Sequence, residues 1–289
     1  MMDERERILD DVRRWVRQQR RDGAERLVLS PAGADAPAAS EPAPPAGDPP
    51  AAAAAKAEAA PVAADGPRTV EAFNLELGLT AEPVERPDLT DEQWAILEER
   101  HPQWRGTPLM DLAGQISVCE RCGLARGRRN AVPGTGHPRA KLVFIGEAPG
   151  AEEDRQGIPF VGRAGKLLDK ILAAIDLGRE DVQILNILKC RPPENRNPAP
   201  DEILACRPYL ERQIELIGPG IIVGLGLFAG QWLTGRRVSL TKLRETGPFA
   251  YRGVPVYVTY HPAALLRNPN WKRPAWEDFQ RIRQEYDRL

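Results

Sequence analysis

The chain has 289 residues, a formal net charge of −1, and 42% hydrophobic against 28% charged residues. That length accommodates one sizeable domain with appendages, and the near-neutral total excludes a protein that binds nucleic acid through bulk charge, so any basic surface must be local. No run approaches the roughly 18 apolar residues of a membrane span, and the N-terminus is charged where a signal peptide would be apolar, so the expected location is cytoplasmic with no membrane partner.

Residues 1–29 alternate charged and apolar positions (Ile8, Leu9, Val12, Trp15, Val16) at helical spacing, which predicts an amphipathic helical segment. Residues 30–66 are mostly Ala and Pro. Such a stretch buries too little apolar surface to offset its ordering entropy, and a disordered linker is expected. Residues 67–106 form a connecting segment of ambiguous character, with a short helix at Asp91–Arg100 after a Thr90 cap. The compact domain is expected at 107–289. It alternates strand Lys141–Ile145, helix Ala164–Ile175, strand Val182–Leu188, helix Pro200–Ile217, strand Ile221–Leu225, helix Leu227–Leu233, strand Val254–Thr259 and helix Lys272–Tyr286. Short, continuously apolar strands between helices predict an α/β fold: three layers, α/β/α, around a central and mostly parallel four-stranded sheet, preceded by a disordered N-terminal extension. Ligands of such sheets sit beyond the carboxyl ends of the strands.

Cys119 and Cys122 form a C-x-x-C pair, Cys190 follows the second strand, and Cys206 lies in the next helix. In a cytosolic chain these four read as metal ligands or core thiols rather than disulfides. As ligands they suit a tetrahedral zinc or a 4Fe-4S cluster equally well, and spacing alone does not separate the two.

Three loops at strand ends carry unusual sequences. The first runs from Gly146-Glu147-Ala148-Pro149-Gly150 through the acids Glu152, Glu153 and Asp154 to Pro159-Phe160-Val161-Gly162. Its glycines admit close approach of main-chain N–H groups, but it lacks the phosphate-loop spacing, and its acids would repel a polyphosphate. Phe160 is either a core residue or a platform for a base. In the second, Asn186 interrupts an apolar strand, where a buried amide needs partners or costs about 1–3 kcal/mol. It is satisfied by nearby backbone or reads the edge of a base. The third, Tyr260-His261-Pro262-Ala263-Ala264-Leu265-Leu266-Arg267, places one histidine at a strand end. It continues into a basic, aromatic stretch with Trp271, Lys272, Arg273 and Trp276. From Leu233 onward there are eleven Lys or Arg against five Asp or Glu, so this is the basic part of the chain and the expected phosphate-facing edge.

Taken together, G-E-A-P-G, the P-F-V-G-x-A-G-x-L-L-D continuation at Pro159–Asp169, N-x-x-K-C-R-P-P at Asn186–Pro193 and H-P-A-A-L-L resemble the iron-sulfur, family 4 uracil-DNA glycosylases over roughly 107–289. The resemblance implies a 4Fe-4S cluster on Cys119, Cys122, Cys190 and Cys206. It also implies that Phe160 stacks on a flipped uracil, Asn186 reads its edge, His261 donates to the carbonyl that gains charge, and Glu147, Ala148 and Pro149 line the pocket. Superfamily members of the best-known class carry an Asp where this chain has Ala148, which leaves Glu147 and Glu153 as candidates for handling the water. The loop Pro193-Glu194-Asn195-Arg196-Asn197-Pro198 has no histidine, so no covalent DNA adduct is expected.

The implied activity is monofunctional: extrusion of uracil from DNA, hydrolysis of its glycosidic bond and release of an abasic site. Leu265 or Leu266 would fill the vacated stack, and Arg267, Lys272 and Arg273 would take phosphates. The expected partner is uracil-containing DNA, bound by a monomer, with the N-terminal arm available to a replication or repair protein. Two other classes fit less well. A non-catalytic iron-sulfur DNA-binding protein would have no need of both Asn186 and His261, and a nucleotide hydrolase would need the phosphate-loop lysine.

Overall fold

The computed structural model describes residues 84–289. The expected N-terminal helix, the Ala/Pro-rich linker and the start of the connecting segment lie outside the described residues. The elements in chain order are α1 (Asp91–Arg100), α2 (Pro108–Ser117), β1 (Thr135–Gly136), β2 (Leu142–Gly146), α3 (Ala151–Gln156), α4 (Arg163–Ala174), β3 (Gln183–Asn186), α5 (Pro200–Ile217), β4 (Ile221–Leu225), α6 (Leu227–Thr234), α7 (Leu240–Thr246), β5 (Phe249–Tyr251), β6 (Val254–Thr259), α8 (Pro262–Arg267) and α9 (Lys272–Tyr286).

The strands form one sheet in the order β1-β3-β2-β4-β6-β5. The four predicted strands, β3, β2, β4 and β6, are its parallel centre. Two short strands then extend the four-stranded expectation to six: β1 runs antiparallel to β3, and β5 antiparallel to β6. β1 carries no apolar run to announce it, and that of β5, Phe249-Ala250-Tyr251, is only three residues long. β1 is two residues long and uses Gly136 at φ +122, and β5 returns into β6 through a two-residue turn, Arg252-Gly253, with both φ values positive. Positive φ at both central residues matches the twist of a tight hairpin, but Arg in the first position hides the signal that Asn or Asp would give.

Alternation along the strands builds the three layers. Val143, Ile145, Leu185, Ile222, Val256 and Val258 face one side, against Leu210, Ile214 and Ile217 of α5 and Leu109, Met110 and Ala113 of α2. Leu142, Phe144, Ile184, Val223 and Tyr257 face the other, against Leu168 and Leu172 of α4 and Phe279 and Ile282 of α9. Trp94, Leu97 and Trp104 pack into the first of these cores, N-terminal of the Thr107 at which the sequence suggests the domain begins. The Trp104 indole N–H donates to Gly136 O at 2.9 Å, anchoring this segment to the edge strand. The predicted α1 forms with a capping box between Thr90 and Gln93.

The chain winds from β2 outward to β3, then crosses back to β4 and β6, so the sheet reverses direction between β2 and β4. The carboxyl ends beside that reversal are where a crevice opens in folds of this kind. Behind β6, a partly buried ion pair braces its end. Arg244 Nε and Nη2 donate to Asp278 Oδ2 and Oδ1 at 2.7 and 2.9 Å, and the Thr259 hydroxyl donates to Asp278 Oδ2 at 2.5 Å. Arg244 also lies over the ring of Tyr260, 4.5 Å from its centroid. Removing Asp278 strands the Arg244 charge and the Thr259 hydroxyl, so Asp278→Ala is expected to lower unfolding stability by about 1–3 kcal/mol. Arg273→Ala, which breaks an exposed pair with Glu277, is expected to cost under about 1 kcal/mol. Urea unfolding of both variants checks this; equal losses would contradict the bracing role.

Candidate functional site

Side chains from the ends of β3 and β6 and from the loop between α3 and α4 converge beyond the sheet. Asn186 is the last residue of β3 and lies opposite Gly146, the last residue of β2. It is 2% exposed, and its Oδ1 has no hydrogen-bond partner among the described residues. A Cβ on Gly146 would collide with that oxygen and stand 2.7 Å from Phe160 Cζ, so the glycine is what allows amide, ring and strand end to share the space. Phe160 in turn faces His261, with ring centroids 5.4 Å apart and planes tilted by 32°.

Phe160 sits at φ +54, a conformation that favours glycine and is uncommon for a bulky residue. Three features hold it there. Glu153 Oε1 accepts from the N–H groups of Val161 and Gly162, both at 2.9 Å, and its Oε2 from Gly150 N–H at 3.1 Å, which staples the two ends of the loop together. Arg179 donates to Pro159 O at 3.0 Å and to Phe160 O, while its Nε holds Asp169 at 2.6 Å. Gly165, inside α4, leaves room for the Phe160 backbone, since a Cβ there would stand 2.8 Å from Phe160 Cα and closer still to its carbonyl.

His261 is the N-cap of α8, and Pro262 fills the first helical position. Its Nδ1 accepts from Ala263 N–H at 3.1 Å, which assigns the ring proton to Nε2 and makes that atom a donor. Burial, reinforced by the Arg267 charge, lowers its pKa to about 4, so the ring is neutral at physiological pH. Gly226, at φ +91 after β4, admits the ring: a Cβ there would be 3.1 Å from His261 Cβ.

The two carboxylate candidates separate cleanly. Both oxygens of Glu153 are occupied by main-chain N–H groups, so it shapes the loop. Glu147 makes no hydrogen bond or ion pair with the described residues, and burial raises its carboxyl above the ordinary value. Its main chain is fixed, since Gly146 O and Glu147 O accept from Ile187 and Leu188 N–H at 3.0 and 3.1 Å. Ala148 packs against the core and Pro149 is buried. The acids of this loop do not converge on a cation: Glu152 pairs with Arg155 at 2.6 Å, and the buried Asp154 accepts from Arg129 N–H at 2.9 Å.

In the third loop the expected DNA-facing residues divide. Leu265 is 2% exposed and packs with Tyr260 and Ala275, so it is a core residue rather than a wedge, whereas Leu266 is 40% exposed. The reason is helical: adjacent residues on α8 point about 100° apart, and 265 points inward. Arg267 and Arg273 are exposed and Lys272 is half-buried. Trp271 stacks on Tyr260 at 5.1 Å between centroids, extending an aromatic surface from the His261 loop.

All four cysteines line one pocket, with Arg121, Arg128, Lys189 and Tyr209 among its walls. Arg128 donates to Cys190 Sγ at 3.3 Å and to the carbonyls of Cys119 and Ser117 at 2.6 and 2.7 Å, capping the end of α2. Lys189 and Arg121 N–H groups donate to Cys206 and Cys119 Sγ at 3.3 and 3.5 Å. Burial pushes the Cys206 thiol up to about 11 and raises that of Cys190. Arg128, Arg179, Gly165 and Lys189 escape sequence reading, because their partners are distant or are main-chain atoms. Lys189, a lone charge in an apolar run, is the one that composition could have flagged.

The model of the uracil DNA glycosylase superfamily matches residues 133–280, which holds Phe160, Asn186, His261 and two of the cysteines. Curated relatives include the type-4 uracil-DNA glycosylase of Sulfurisphaera tokodaii, 46% identical over 178 residues, which are 59% of this chain and 81% of the relative. That of Archaeoglobus fulgidus is 45% identical over 181 residues, 60% and 91% of the two chains, and that of Saccharolobus solfataricus 46% over 182 residues, 60% and 84%. With a family match that spans the whole site and relatives this similar over most of their own length, the chain belongs to the uracil DNA glycosylase superfamily, in the branch of its type-4 members.

Proposed function

We propose that this chain excises uracil from DNA: it takes the flipped nucleotide into the pocket of Asn186, Phe160 and His261, hydrolyses the glycosidic bond and leaves an abasic site. The observation that carries the reading is the buried, unpartnered Oδ1 of Asn186 beside an aromatic ring. An orphaned buried acceptor demands a donor, and uracil supplies one, its N3–H, flanked by carbonyls that suit the amide N–H₂ of the same side chain. Cytosine presents an acceptor at N3, so it would set acceptor against Oδ1 in this orientation of the amide. Phe160 offers the face on which the base stacks.

As the bond between N1 and the sugar breaks, its electron pair passes to the uracil ring and the sugar becomes oxocarbenium-like. With Nδ1 occupied by Ala263 N–H, the Nε2–H of a neutral His261 would donate to the ring oxygen that gains the charge, a stabilisation preorganised by that hydrogen bond. Glu147, whose carboxylate is uncommitted, is the residue we assign to orienting water or stabilising the sugar cation. Glu153 positions the Phe160 loop. Leu266 is the wedge that fills the vacated stack, with Arg267, Lys272 and Arg273 on phosphates.

The cysteine cavity fits a 4Fe-4S cluster: four thiols line one pocket, with N–H groups of Arg121, Arg128 and Lys189 on the sulfurs as such sites use them. Cys119, Cys122, Cys190 and Cys206 would hold it. Bound there, it would cross-link the loop after α2 to the loop after β3 and to α5, a structural contribution. The location we expect is cytoplasmic, and the N-terminal arm, outside the described residues, is the segment we assign to a partner protein.

Three outcomes test this. In single-turnover release from a uracil-containing oligonucleotide, His261→Ala is expected to slow cleavage on the order of 10²- to 10³-fold, and Asn186→Ala about 10- to 100-fold; absence of abasic product from the wild type on U·G, U·A and single-stranded DNA would sink the reading. Because His261 stays neutral down to about 4, lowering the pH to about 5 should not protonate it. Any loss of rate above that point should belong to Glu147, whose carboxyl is raised by burial, and should vanish in Glu147→Gln. A residual limb near the ordinary histidine value in that variant would contradict the neutral-donor assignment. Cys206→Ala should lose iron and acid-labile sulfide together, as measured on the purified protein; full retention of both would exclude the cluster from this cavity.

A further inference from the structure

Lys189 links the strand end that carries Asn186 to the cysteine cavity. Its side chain is 1% exposed, in a position where a long cation is normally found only with a partner. Its Nζ donates to the main-chain carbonyl of Asn186 at 2.8 Å. On the other side it lines the cavity, and its own N–H donates to Cys206 Sγ at 3.3 Å. Its carbonyl accepts from Val132 N–H at 2.7 Å, so the backbone at 189 is held from both directions.

The geometry matters because Asn186 is where β3 ends. Beyond it Ile187 and Leu188 donate to Gly146 O and Glu147 O, so the 186–187 peptide plane is fixed through its N–H by Gly146 and through its C=O by Lys189. The direction of that plane sets the Cα–Cβ direction of Asn186, and with it the aim of the amide. We infer that Lys189 is a positioning residue for uracil capture: by fixing the Asn186 carbonyl from inside the cysteine cavity, it makes the aim of the base-reading amide depend on the part of the fold that the four cysteines organise. The inference rests on Asn186 reading the base, as proposed above.

A double-mutant cycle on the full-length, iron-loaded protein tests it. Methionine keeps the length and apolar stem of lysine but cannot donate. Lys189→Met is expected to slow single-turnover uracil release on the order of 10- to 100-fold in the wild-type background, and less than about twofold when Asn186 is already Ala, because a group that acts only through a removed side chain has nothing left to aim. Iron content should be unchanged. The visible absorption of the bound group should shift in Lys189→Met and not in Asn186→Ala, since Lys189 alone of the two lines the cavity. Equal losses in both backgrounds would overturn the inference, as would an unshifted spectrum. Should Lys189→Met fail to load iron, Lys189→Gln, a shorter side chain that keeps a donor, goes through the same cycle; loss of iron in both makes Lys189 an assembly residue and overturns the positioning role. An Asn186→Ala variant that releases uracil at the wild-type rate removes the pocket reading itself, a failure distinct from an additive cycle.

Discussion

The close approach at the end of β2 is the constraint on which the site depends. Parallel pairing of β2 with β3 sets Gly146 opposite Asn186, and the missing Cβ leaves room for the amide and for the ring of Phe160. Any side chain at 146 would fill the space that the amide and the ring share. The register is itself overdetermined, because the residues on either side of this pair belong to two cores on opposite faces of the sheet, and a slip of one residue would exchange them.

Around that point the protein spends hydrogen bonds on main chain rather than on ligand. Glu153 gives both its oxygens to loop N–H groups, and Arg179 gives donors to two consecutive carbonyls. Phe160 is thereby held in a backbone conformation that costs of order 1–3 kcal/mol when unsupported. The groups left uncommitted are the Asn186 Oδ1, the Glu147 carboxylate and the His261 Nε2. A site whose supporting residues are saturated and whose reacting residues are not is preorganised for something that arrives from outside.

The Asn186 amide and the cysteine cavity lie at the two ends of the short segment 186–190. One end of that segment terminates a central strand and the other supplies a thiol, so the two sites share a backbone. The Arg244–Asp278 pair plays a comparable part at β6, where it secures Thr259 and Tyr260 immediately before His261. Each reacting side chain thus stands on a strand end that is tied down from behind.

The sequence by itself determined the α/β class, the four central strands, the three loops and the residues that meet beyond them, because an apolar strand bounded by Gly, Pro, Asn or His is a local signal. The helices α5 and α9 run between the residues that periodicity and capping indicated. What only the tertiary structure decided are matters of approach and direction. The edge strands β1 and β5 are only two and three residues long, too short for a strand pattern to show. Leu265 and Leu266 are equivalent by composition, and the rotation of α8 buries one and exposes the other. Glu147 and Glu153 are two acids on one loop until the fold gives one of them three main-chain donors and leaves the other none. The same holds for Lys189, Arg179 and Gly165, whose partners are carbonyls: main-chain atoms are identical at every position, so no pattern of side chains along the chain can say which of them a distant residue will meet.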